Sequence, residues 1–157
     1  MRKVGVLNIG QFHEENTAEQ FYASTLEHHL RTRHKDIALP HKHDFSLLVL
    51  FTRGAGIHEV DFRSYEVKPG ALFMLNPGQT HHWELSENTE GYIFFHTQSF
   101  FDLHYTDNKL ADFPFFYSQY NSPCIYLNNV KKQRLDSLLS ILLKEYSNPK
   151  LLNRQFL

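Results

Sequence analysis

The chain has 157 residues, a formal net charge of −1, 41% hydrophobic residues, fourteen phenylalanines, eleven histidines and one cysteine. That length suits one domain with a buried core, and the composition excludes wholesale disorder. The lone Cys124 excludes an internal disulfide framework and a cysteine-based zinc cluster, and no apolar run is long enough to span a bilayer.

In chain order, Val4–Ile9 reads as a short strand. Thr17-Ala18-Glu19-Gln20 matches a capping box, yet Phe21, Ala23 and Thr25 alternate like a strand, so 17–33 is an arm of mixed signals with Leu26–Arg33 helical. From Pro40 the pattern turns to short β-rich runs: Phe45–Arg53, Ile57–Phe62, Tyr65–Lys68, Ala71–Leu75, His81–Leu85 and Gly91–Thr97. Gly54-Ala55-Gly56, Arg63-Ser64, Pro69-Gly70 and Asn76-Pro77-Gly78-Gln79 punctuate them. Short strands with frequent turn signals predict an antiparallel sandwich or barrel.

Gln98–Tyr105 and Phe113–Tyr120 are aromatic and irregular, and are expected to fill core space under loops. Cys124–Leu127 is one more strand. The period then becomes helical, with Leu135, Leu138, Leu139, Leu142, Leu143 and Tyr146 on one stripe. Ser147-Asn148-Pro149 should stop that helix. Leu151–Leu157 starts a second apolar pattern and ends without a cap, which predicts a fragment of something longer. Charge is uneven: residues 1–129 hold 10 Lys/Arg against 15 Asp/Glu, a net −5, and residues 130–157 hold 6 against 2, a net +4.

The histidines carry the chemistry, because imidazole titrates near neutral pH and ligates metals. In a strand, His41, His43 and Leu47 share one face, and His81 converges on them across a small barrel. Three readings stand open: contacts to a small molecule, mutual hydrogen bonds that pin strand ends, or a divalent metal. Phe45, Phe73 and Trp83 would wall the same pocket. His58 is expected to be a partly exposed strand residue. His13, His28, His29, His34 and His104 are expected to be solvated, His82 to face away from His81, and His96 to have the parity of Phe94.

His-x-His with Asp44 and Gly54, followed by Gly70, Pro77-Gly78 and His81, resembles the two cupin motifs. Catalytic cupins place a glutamate four or five residues after the second histidine; here those positions hold Leu47 and Leu48. The resemblance is sharper to the AraC/XylS family of bacterial transcription regulators. It rests on Pro-His-Lys-His-Asp-Phe-Ser at 40–46, Gly-Ala-Gly-Ile-His-Glu-Val-Asp-Phe at 54–62 and Leu-Asn-Pro-Gly-Gln-Thr-His-His-Trp at 75–83.

That resemblance implies a mainly β, cupin-like double-stranded β-helix with an N-terminal arm and one or two C-terminal helices. It implies an arm at 1–39, a barrel at 40–129 and a helical dimerisation segment at 130–157. It also implies a small-molecule effector held by His41, His43, Phe45, Phe73, His81 and Trp83, and a homodimer through Leu135, Leu138 and Leu142. DNA would be reached only through a missing helix-turn-helix part. No catalytic residue, cofactor or membrane partner is expected, and the location is expected to be cytoplasmic. The alternative is a small metal-dependent cupin enzyme using His41, His43 and His81.

Overall fold

A computed structural model describes residues 4–12, 20–33, 38–104 and 121–148, with the side chains of residues 103 and 104 left aside. Two five-stranded sheets face each other. One has the order β1 (Gly5–Leu7), β3 (His41–His43), β8 (His81–Leu85), β5 (Gly56–Val60), β6 (Arg63–Val67). The other has the order β10 (Cys124–Tyr126), β7 (Ala71–Leu75), β4 (Ser46–Arg53), β9 (Glu90–His96), β2 (Phe21–Thr25). All the pairings are antiparallel except β1 with β3. The predicted mainly β barrel is thus observed, and two of its strands come from the N-terminal arm.

The strand β4 shows why its sequence is apolar on both faces. Leu47, Val49 and Phe51 point between the sheets, where they join Phe73, Trp83, Ile93 and Phe95 in the main core. Leu50 points outward, with Ala23, Leu72 and Phe94. That outer surface is covered by α3 (Asn129–Tyr146), which lays Leu135, Leu139, Leu142, Leu143 and Tyr146 on it. A continuous hydrophobic run is the signature of a strand buried on both sides. Each fully buried side chain of this size stabilises the fold by roughly 1.5–3 kcal/mol.

The helices begin where their caps allow. Thr25 Oγ1 accepts from His28 N at 3.4 Å and opens α1 (Leu26–Thr32), while Asn128 Oδ1 accepts from Lys131 N at 2.9 Å and opens α3. Several expectations are corrected. The strand at the N-terminus spans only Gly5–Leu7, and a 3-10 turn, Ile9–Phe12, follows it and buries Ile9 and Phe12 in the core. The stretch expected to be irregular forms α2 (Gln98–His104), whose first turn is held by Phe100 N donating to Thr97 Oγ1.

The β5–β6 turn is Asp61-Phe62, with φ of 48° and 66°, not Arg63-Ser64. Two positive φ angles define a tight hairpin turn that usually uses Asn-Gly. Here Asp61 is held instead by side-chain bonds, its carboxylate accepting from Gln79 Nε2 at 2.7 Å and Thr80 N at 3.0 Å. The readings placed on residues 13–19, 105–120 and 149–157, including the capping box, the Phe113–Tyr120 cluster and the second apolar pattern, lie outside the described residues.

Candidate functional site

One sheet supplies every histidine of the site. His41 and His43 lie on β3, and His41 pairs directly with His81 on β8. The β7–β8 turn secures this register: Gly78, at a φ of 87°, donates its N–H to the His43 carbonyl at 2.8 Å. Next across the sheet, β5 sets His58 opposite Trp83 and Val60 opposite His81. The facing sheet contributes Phe73 and Phe95.

His41, His43 and His81 are all buried, and one nitrogen from each lies within 4.8 Å of the others. His43 Nδ1 is 3.3 Å from His81 Nε2, and His81 Nδ1 is 2.9 Å from His58 Nε2. Three imidazoles therefore form a hydrogen-bonded chain. His41 Nδ1 lies 2.8 Å from the Leu39 carbonyl oxygen, which only accepts, so His41 carries its proton on Nδ1 and a lone pair on Nε2. Burial lowers the pKa of His41, and burial with the neighbouring His41 and His82 lowers that of His58 well below the ordinary value. The neutral forms of these two rings are favoured.

Aromatic side chains enclose the cluster. His43 stacks on Phe45 with centroids 4.5 Å apart, His58 lies 4.4 Å from Phe73, and Trp83 is 5.1 Å from both His58 and His81. Phe45, Phe73 and Trp83 are essentially inaccessible. The six residues expected around the pocket are thus brought together. His58 differs from expectation: it is fully buried and belongs to the cluster rather than being a partly exposed strand residue. Its strand offers no parity signal, because Ile57 and Val60 put an apolar residue on each face.

His29 is a second correction. It is fully buried rather than solvated, and shares a 2.9 Å hydrogen bond with the Tyr22 hydroxyl. His28 is exposed, while His82 and His96 are half-buried. The pKa of His96 is lowered by burial, against its hydrogen bond to the Thr97 carbonyl. His13 and His34 lie outside the described residues, as does the side chain of His104. Leu135 and Leu142 pack against the barrel, whereas Leu138 is 56% exposed beside Ile141 at 58%.

Three imidazole nitrogens are a sufficient protein ligand set for a divalent transition metal. Among the described residues no carboxylate joins them. Leu47 lies in the core where catalytic cupins carry a glutamate, and Asp44 and Glu84 are exposed. The donor set fits a metal by type, yet lacks the acidic ligand that neutralises its charge.

Two facing sheets, one carrying the cluster's four buried histidines and Trp83 and the other Phe73 and Phe95, form a cupin-like barrel. The family model of the AraC-like ligand binding domain matches residues 27–143, so the chain belongs to that family. No curated protein matches the chain significantly. Among solved structures it is similar to KdgF from Halomonas sp. at 20% identity, over 38% of this chain and 56% of that one, with a TM-score of 0.35. It is similar to YcfD, a ribosomal oxygenase from Escherichia coli solved with cobalt and succinic acid, at 20% identity, over 71% and 35%, with a TM-score of 0.35. A variant of the oxalate decarboxylase OxdC of Bacillus subtilis aligns at 15% identity over 51% and 26%, with a TM-score of 0.32. The matches span between about a quarter and just over half of those chains.

Proposed function

We propose that this chain is the effector-sensing and dimerisation part of an AraC-type bacterial transcription regulator, acting in the cytoplasm. The effector is a small molecule held at His41, His43 and His81 between the walls formed by Phe45, Phe73 and Trp83. The convergence of three buried histidines against an aromatic wall, in a chain of the AraC-like ligand binding family, carries this reading. Binding acts by linkage: an effector that prefers one arrangement of barrel and helices shifts the population of DNA-competent dimers. DNA is read by helix-turn-helix units outside these residues.

Dimerisation is assigned to α3. Leu138 and Ile141 are exposed one turn apart, while Leu135 and Leu142 brace the same helix against the sheet. A thermal-shift screen of small metabolites tests the sensing role. At least one compound should raise the melting temperature of the wild-type chain, because a ligand of the native state stabilises it. If no compound does so, the barrel loses its role as an effector site.

The runner-up is a metal-dependent enzyme, favoured by the close approach of three histidine nitrogens. Metal analysis of untagged protein separates the two. Stoichiometric metal that disappears in His43→Ala would favour the enzyme.

A further inference from the structure

Among the described residues a single pair, His41 with His81, joins β3 to β8. Every other junction in this sheet has at least three pairs. One pair leaves two strands free to pivot, so the place of His43 beside His81 is set from outside their ladder.

The β7–β8 turn, Asn76-Pro77-Gly78-Gln79, does this. Gly78 N–H donates to the His43 carbonyl at 2.8 Å, and the turn leads through Thr80 into His81. A proline followed by a glycine at positive φ makes it a type II turn. Its own closing bond, from Gln79 N to the Asn76 carbonyl, is long at 3.3 Å. The Gln79 carboxamide supplies a shorter closure, its Oε1 accepting from Asn76 N at 2.8 Å.

That carboxamide is fixed in turn by a different hairpin. Its Nε2 donates to Asp61 Oδ2 at 2.7 Å, while Asp61 Oδ1 accepts from Thr80 N at 3.0 Å. Asp61 N also donates to the Thr80 carbonyl at 2.8 Å. The network has one polarity. A carboxylate only accepts, so Gln79 presents its NH2 to Asp61 and its oxygen to the Asn76 N–H. Gln79 is buried, and its bond to the carboxylate is short and charge-assisted.

We propose that Asp61 is the positioning residue of the histidine cluster: its carboxylate orients Gln79, closes the β7–β8 turn and thereby sets His43 and His81 against each other. Asp61 itself lies at the surface, outside the cluster. Strain accompanies its placement, since Asp61 and Phe62 both hold positive φ angles. A phenylalanine in that region is strained, and such strain persists where surrounding bonds over-determine it. The bearing of Asp61 on binding rests on the effector reading above; its hold on the two histidines does not.

Two single changes and their combination test the assignment. In Asp61→Asn the side chain can accept from Thr80 N only by turning its own NH2 towards Gln79. Gln79 must then flip, which sets its NH2 against the Asn76 N–H. Gln79→Glu instead sets two carboxylates against each other. In Asp61→Asn/Gln79→Glu the roles are exchanged: the asparagine donates to the glutamate and every bond is restored at unchanged net charge.

Imidazole 1H–15N spectra of the 15N-labelled chain at about pH 7.5, where a free imidazole is neutral, read the outcome without any effector. His43 stacks 4.5 Å from Phe45 and His81 lies 5.1 Å from Trp83, so ring currents report any displacement of either. In both single variants these signals should shift, and the Gly78 amide should exchange with solvent at least about tenfold faster. His29, bonded to Tyr22 of the facing sheet, should not respond. The double variant should return both readouts to wild type. A clamp with a structural role alone would lower the urea midpoint and leave the native-state signals in place.

Unmoved His43 and His81 signals in a folded Asp61→Asn would overturn the proposal, as would a double variant no closer to wild type than the singles. Should the single variants not fold, the double variant decides: it folds with wild-type histidine signals, or the proposal fails. A fruitless metabolite screen would sink the sensing role while leaving the role of Asp61 standing, and unmoved histidine signals would do the opposite.

Discussion

His58 shows what a single buried imidazole does to the molecule. Burial disfavours its charged form, so the folded chain holds this ring neutral while the unfolded chain protonates it below the ordinary value of 6.5. The unfolded state then binds more protons, and stability, fully present above 6.5, is lost as pH falls through that value. His41 and His96 are shifted in the same direction and add to the slope. Denaturation midpoints measured from about pH 7.5 down to about 5.5 should fall, with each such histidine adding at most about 1.4 kcal/mol per pH unit. His58→Leu should give a shallower slope, and a pH-independent wild type would contradict the assignment.

Trp83 makes the packing counterpart. Its side chain fills the space beside His58 and His81, so Trp83→Ala should cost about 3–5 kcal/mol in urea unfolding. The convergence of His41, His43 and His81 was legible from strand parity and the Pro77-Gly78 turn. The place of His58 was not, because Ile57 and Val60 put an apolar residue on each face of its strand. Only the pairing of His58 with Trp83 decides which face is inward. His29 was hidden for a similar reason. Its helix carries Glu27, His28 and Arg31, and the partner that buries it, Tyr22, comes from the preceding strand.

At the scale of elements, α3 has two apolar sides with different duties. Leu139 is buried against Ala23, Leu50, Leu72 and Phe94, whereas Leu138, its neighbour in sequence, is mostly exposed. Leu139→Ala should therefore destabilise the fold by about 2–4 kcal/mol. Leu138→Lys should leave the unfolding midpoint within about 0.5 kcal/mol of wild type, as expected of an exposed position. The same Leu138→Lys change should shift sedimentation towards monomer; an unaltered dimer would remove Leu138 from the interface. The leucine stripe was readable as a helix, but its division between barrel and solvent depends on where the sheet lies.

Turn geometry offers a sharper element-scale test. Gly56 has a φ of 152°, and a Cβ there would lie 2.1 Å from the Glu84 carbonyl oxygen on the neighbouring strand. Gly56→Ala should loosen the β5–β8 pairing that aligns His58 with Trp83, at a cost of order 1–3 kcal/mol. The Gly54-Ala55-Gly56 break was visible in the sequence. The Asp61-Phe62 turn was not, since Phe62 does not advertise a positive φ and the bonds that hold the Asp61 carboxylate come from residues 79 and 80.

For the whole molecule, the burial of the histidine cluster bears on the proposed sensing role. His41 is the most accessible of the three clustered histidines, at 6% exposure, against 3% for His43 and 1% for His81. On the proposed sensing role, an effector at this cluster would be enclosed rather than perched on the surface, and its arrival would be coupled to the ordering of the surrounding elements. That coupling is what a sensor needs to shift an equilibrium between two arrangements. The near-zero net charge averages an acidic body, −5 over residues 1–129, with a basic C-terminal region, +4 over residues 130–157.

The most direct test is calorimetric titration of a stabilising compound from the metabolite screen into wild-type protein and His41→Ala. A ligand at a hundred times its Kd stabilises the native state by about 2.7 kcal/mol, a rise of roughly 5–11 °C in melting temperature. Such a compound should bind the wild type with one-to-one stoichiometry and bind a folded His41→Ala at least about tenfold more weakly, the equivalent of roughly 1.4 kcal/mol. Equal affinity in the two proteins would place the ligand elsewhere and contradict a binding site at the histidine cluster.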